Sequence, residues 1–202
     1  MFELETLQKL TLPARSECMY TSCYCEENVW KLCEKVKDTQ PNLLPNCFVV
    51  FISNRNQTVP LWKQGASQNE DGLTIWDYHV IFIHKPCDNS EALVYDLDSL
   101  LPFPTTFNTY FLQTFRSDDI LKLEYHRSFR IMLAETFMKT FSSDRSRMIA
   151  LDGSWIKPPP PYPCIQAPGF NSNLDDFISM DPNRGFGEVL SIKKFEEKFS
   201  SF

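Results

Sequence analysis

The chain has 202 residues, of which 43% are hydrophobic and 23% charged, which fits a single domain over 1–202 at roughly 150 residues per domain and excludes a disordered or fibrous chain. A chain of this size buries about 70% of its unfolded surface, enough for a core without disulfide or metal staples. Twenty Lys and Arg against 26 Asp and Glu leave a net charge of -6, and no basic stripe is present to displace counterions, so a nucleic-acid partner is not expected.

The longest apolar runs, such as Cys47 to Ile52, are too short to span a bilayer, and no membrane partner is expected. Residues Met1 to Glu17 mix Glu, Lys and Arg with isolated Leu and lack a signal-peptide core. The expected compartment is cytoplasm or nucleus. The seven cysteines, at 18, 23, 25, 33, 47, 87 and 164, are then read as free thiols. Cys18, Cys23, Cys25 and Cys33 have no paired C-x2-C knuckles and no nearby His, so no metal is expected there.

In chain order, the first element is a helix over Cys25 to Asp38. Val29, Leu32, Cys33 and Val36 form its apolar stripe. Ser22 or a neighbour is expected to cap it, with Glu26 and Glu27 at the positive end of its dipole. Strands follow at Cys47–Ser53, Thr58–Gln64 and Leu73–His84, with a shorter one at Ala92–Leu97. Asp119–Phe141 reads as helical, 151–173 as an irregular proline-rich crossing, and Lys193–Phe199 as a closing helix. Together these predict an α+β fold around an antiparallel sheet.

The helix stripe extends back to Cys25, four residues before Val29, which sets a thiol at a helix start facing the sheet. A helix N-terminus lowers a thiol's pKa and favours the nucleophilic thiolate. Cys23 lies outside the helix and points elsewhere. In the strand Leu73–His84, alternation puts Ile75, Asp77, His79, Ile81 and Ile83 on one face, and Trp76, Tyr78, Val80 and Phe82 on the other. His84 and His126 read as surface residues. A hairpin to Ala92–Leu97 sets His79 opposite Leu97, and a one-residue adjustment makes Asp96 its neighbour, with Asp98 as competitor. A thiol, an imidazole and a carboxylate so arranged form a nucleophile constellation.

The stretch Ser22 to Cys33, the motif Trp76-Asp77-Tyr78-His79-Val80, and Tyr95 to Asp98 with Leu101 to Pro104 resemble the protein N-terminal glutamine amidohydrolase family. So do Phe141 to Arg147, Pro158 to Cys164 and Asn173 to Pro182. The resemblance implies a papain-like or transglutaminase-like α-β-α sandwich, a monomer without cofactor, and a triad of Cys25, His79 and Asp96. It leaves Asp98 a structural role. It also implies substrates with a free N-terminal glutamine, deamidated to glutamate ahead of arginylation in an N-degron pathway.

For the substrate's ammonium the sequence offers Asp77, with Asp181 as rival. Tyr24, Trp76 and Tyr78 are candidate pocket walls. The backbone N–H of Cys25 is the expected oxyanion donor, and no second donor is identifiable. Two further readings stand beside this one: a thiol protease or transglutaminase, and a WW-domain ligand at Pro159-Pro160-Pro161-Tyr162.

Overall fold

The structure, a computed structural model, describes residues 12–88 and 90–200. Helix α1 runs Cys25–Thr39 and buries Val29, Leu32, Cys33 and Val36, the Val and Leu side chains each worth roughly 1.5–3 kcal/mol. Its N-cap is Tyr24 without a side-chain cap, so Ser22 does not serve. Asn28 does the fastening instead, accepting from the Thr21 amide and donating to the Thr21 carbonyl, both at 2.8 Å. Glu26 and Glu27 are buried within the helix's first turn.

Strand β1 spans Cys47–Ser53, β2 Val59–Leu61, β3 Thr74–Trp76, β4 His79–His84 and β5 Leu93–Tyr95. The expected strand Leu73–His84 is therefore two strands in two sheets. The break has a local cause: the Ser53 hydroxyl donates to the Asp77 carbonyl at 2.8 Å, and Asp77 Oδ1 accepts from the Tyr78 amide at 2.9 Å. These bonds occupy groups that a continuous ladder needs. Strand β3 pairs with β2, and β4 pairs with β1.

Further along come β6 at Thr105–Thr106 and a short helix α2 at Phe107–Tyr110. Where Asp119–Phe141 was expected helical, the chain forms two single 3-10 turns, then β7 at Ser128–Leu133, and only then α3 at Ala134–Thr140. Strand β7 is buried on both faces, where periodicity cannot separate strand from helix. Its Arg130 is fully buried, donating at 2.5–2.9 Å to the carbonyls of Ser179, Asp181 and Phe186. After the irregular crossing come α4 at Leu174–Ile178, β8 at Glu188–Ser191 and α5 at Ile192–Phe199.

The main sheet has the order β6-β5-β4-β1-β7-β8 with every pair antiparallel, giving the α+β class expected. One apolar cluster joins α1, α3 and α4 to one face through Val49, Phe51, Val80 and Phe82. A second joins α2 and α5 to the other through Val50, Ile52, Ile81 and Ile83. No helix among the described residues is long and apolar enough to cross a membrane.

Candidate active site

The start of α1, the β3–β4 break and the segment 143–148 meet at a cavity of about 360 Å³. Cys25 is the first residue of α1, so its main-chain N–H has no carbonyl one turn back to receive it. Just before it, Cys23 takes a positive φ of 68°, a turn that costs a β-carbon residue energy and swings the chain into the helix. Cys23 also lines the cavity and its Sγ lies 3.6 Å from Ser22 Oγ.

His79 opens β4 and is fully buried. Its Nε2 lies 2.9 Å from Asp96 Oδ1, while Nδ1 is buried with no partner among the described residues. The pairing does not come from the ladder as expected. Phe82 lies opposite Tyr95, which is one residue off the predicted register and extrapolates His79 to Asp98. The ladder ends at that pair, and Asp96 reaches diagonally back from a turn.

The turn is held firmly. Arg15 donates to the carbonyls of Asp96, Leu97 and Ser99 at 3.1, 3.2 and 2.8 Å. Asp96 Oδ1 also accepts from the Asp98 amide at 3.0 Å, and Oδ2 accepts from Tyr110 at 2.7 Å and Gln64 at 3.4 Å. Gln64 Oε1 in turn accepts from the Trp76 indole at 3.2 Å, and that indole stacks on His79 with centroids 5.4 Å apart. A closed ring of contacts thus fixes the imidazole. The β3–β4 break carries Trp76 over the His79 ring, where a flat strand would have sent it to the opposite face.

Among the described residues, His79, Asp96 and Asp98 are the only three or more potential ligands close enough to share an ion. Both oxygens of Asp96 are already filled with two donors each. The group is a hydrogen-bonded relay, and the four cysteines near the N-terminus form no such cluster.

The electrostatics follow from burial. Burial alone lowers the His79 pKa, but the Asp96 charge and hydrogen bond outweigh it, and the net direction is up. Burial opposes ionisation of Asp96, yet His79, Tyr110 and the Asp98 amide hold its carboxyl below the ordinary value. Burial pushes the Cys25 thiol well up, aided by Glu26, Asp98 and Asp77, with the Val80 amide opposing. This reverses the lowering expected from the helix start.

The other expected residues divide. Tyr24, Asp77, Tyr78 and Trp76 line the cavity, and the Tyr24 phenol donates to the Lys157 carbonyl at 3.2 Å. Asp77 Oδ2 is 3.4 Å from Arg147. Asp98, expected to be structural, lines the same cavity, its Oδ1 accepting from Tyr20 at 2.6 Å. Asp181 lies at a different cavity, with Arg184. His84 is buried, against expectation, and His126 is half-buried beside the Leu121 carbonyl. Pro160 is buried with its carbonyl on Arg145, and Lys31 and Arg145 sit over the Tyr162 ring at 4.7 and 5.2 Å. The proline segment is therefore packed on its own chain.

Sequence reasoning missed Glu26, Gln64 and Tyr110. Glu26 is 4% exposed, lines the cavity, and places Oε2 3.6 Å from Cys25 Sγ and 2.8 Å from the Tyr78 phenol. Its position next to the thiol was the available signal.

Residues 20–199 match the model of the N-terminal glutamine amidase family. A Drosophila melanogaster protein named protein N-terminal glutamine amidohydrolase is 54% identical over 190 residues, covering 93% of this chain and 91% of the relative. Proteins of the same name from Drosophila virilis and Drosophila grimshawi are 53% and 52% identical at the same coverage.

Proposed function

The chain belongs to the N-terminal glutamine amidase family, and from that premise we propose that it hydrolyses the side-chain amide of an N-terminal glutamine, with Cys25 as nucleophile, His79 as base and acid, and Asp96 as the orienting carboxylate. The observation that carries the assignment is the buried His79–Asp96 bond, which leaves Nδ1 as the unpartnered ring nitrogen.

Asp96 fixes the proton on Nε2, so Nδ1 presents a lone pair. Nδ1 takes the Cys25 proton as sulfur attacks the carboxamide carbon. The resulting oxyanion meets the free Cys25 N–H. Collapse breaks the C–N bond, with His79 returning the proton to the departing nitrogen, and ammonia and a thioester form. A water deprotonated by His79 then adds to the thioester carbon, and the S–C bond breaks to give glutamate and the thiol. Side chains and water supply all of the chemistry. The N-terminal glutamate so made suits an arginylation step in an N-degron pathway, and with it a place in cytoplasm and nucleus.

The substrate's α-ammonium needs a carboxylate or carbonyl oxygens at the cavity. Asp77 supports that role, because its 3.4 Å contact with Arg147 is long enough to be displaced. Asp77→Asn is expected to raise KM for free-amine peptides about tenfold or more with a smaller change in kcat, since a charge-assisted hydrogen bond contributes about 1.5–3 kcal/mol. Steady-state ammonia release checks it, and an unchanged KM assigns the ammonium elsewhere.

The reaction itself is tested with a Gln-initiated peptide, read by ammonia and by the mass of the product. N-acetylation, or moving the glutamine one position inward, is expected to abolish turnover, because each removes the ammonium charge that Asp77 would pair and adds bulk where it would dock. An Asn-initiated peptide is also expected to fail. Peptide cleavage without ammonia would instead support the protease reading, and isopeptide cross-links formed alongside the ammonia, in place of glutamate, the transglutaminase reading.

A further inference from the structure

Glu26 and Glu27 are adjacent buried carboxylates with different surroundings. Glu27 is paired with Arg145 at 2.7 and 2.8 Å. Glu26 makes no ion pair among the described residues, and its only side-chain neighbours in hydrogen-bonding reach are the Tyr78 phenol and the Cys25 thiol. A buried carboxyl facing a cavity without a cationic partner is costly to ionise, and a donor from a ligand would favour its charged form.

The distances leave room for the substrate's own carboxamide beside it. At attack the sulfur and the carbonyl carbon lie about 3–3.5 Å apart, and the amide nitrogen is about 1.33 Å beyond that carbon. An oxygen 3.6 Å from Cys25 Sγ that lines the same cavity can therefore come within hydrogen-bonding reach of that nitrogen. We propose that Glu26 reads the carboxamide itself: its carboxylate accepts an N–H of the substrate's –NH2 group, orients it for departure, and repels the carboxylate of the glutamate product.

The proposal rests on Cys25 being the nucleophile and adds the group that distinguishes amide from acid. Tyr78 holds Oε2 in place from the side. Burial pushes the Glu26 carboxyl up to about 7, so near neutral pH the accepting form is populated. A product carboxylate docked against it could not ionise together with it at low cost, which favours release.

The test compares a Gln-initiated peptide with the same peptide bearing N-terminal glutamate γ-methyl ester, which presents the same carbonyl carbon but no N–H. Wild type is expected to hydrolyse both. Glu26→Gln and Glu26→Leu are expected to lower kcat/KM for the amide about 10–100-fold, more for Leu, while ester hydrolysis stays within about threefold. Inhibition by the Glu-initiated product peptide should tighten about tenfold in Glu26→Gln. Equal losses on amide and ester in both variants would overturn the proposal, because a prop for Cys25 serves both substrates alike. Unchanged amide turnover would overturn it too. A wild type inert toward both substrates removes the Cys25 reading and this proposal with it, an outcome separate from selective failure of the variants.

Discussion

Cys25→Ala and Cys25→Ser are expected to abolish ammonia release from a Gln-initiated peptide, by about 10⁴-fold or more in kcat, because no covalent route remains without the sulfur. The fold should survive. The lost atom borders a cavity, so the expected cost is about 1 kcal/mol and a few degrees in Tm for a chain of this size. Cys23→Ala is the matched control. It removes a thiol that lines the same cavity but keeps the β-carbon at the positive φ, so backbone strain is the same in both proteins. It should retain most activity. Equal loss in Cys23→Ala and Cys25→Ala would show that the assignment of the nucleophile is wrong.

The legibility of this site in the sequence follows from where each signal is stored. The thiol was readable because α1 is amphipathic and its stripe runs without interruption from Val36 back to Cys25. Strand β1 matched its expected bounds, Cys47–Ser53, because turn residues flank it. Strand β7 was hidden because burial on both faces erases alternation, and its Arg130 reads as a surface charge until the Ser179–Phe186 carbonyls around it are known.

The break at Asp77–Tyr78 was hidden for a different reason. It depends on Ser53, a partner 24 residues away. Gln64 and Tyr110 likewise reach Asp96 only through tertiary folding, and a lone Gln or Tyr carries no local pattern. Glu26 was visible but explained too cheaply: a first-turn acid suits the helix dipole, and nothing local reveals that it is buried. The Asp96-or-Asp98 ambiguity is physical as well. The ladder register favours Asp98, whereas the clamp of Arg15 on the turn delivers Asp96.

Asp96→Asn is the second large expected effect. The Asn amide can donate to His79 Nε2, which would put the ring proton on Nδ1, the nitrogen that must accept the Cys25 proton. A wrong tautomer in intact geometry costs about 10⁴-fold in kcat. The acid limb of the residual activity should also move to lower pH, because burial then acts on His79 without the opposing carboxylate. Stability carries its own signature. The depressed Asp96 pKa contributes stability above about pH 3.9, lost as pH falls through the folded value. The raised His79 pKa contributes stability below about pH 6.5, lost as pH rises through its folded value. Wild type should therefore exceed Asp96→Asn most between about pH 4 and 6.5, with the gap narrowing above. Thermal unfolding across that range checks this. Asp98→Asn should cost much less, since burial raises the Asp98 pKa and its Oδ1 is bonded to Tyr20 rather than to the imidazole. If Asp98→Asn were the more damaging change with Tm unaltered, the orienting role would pass to Asp98 and the diagonal reach of Asp96 would be structural.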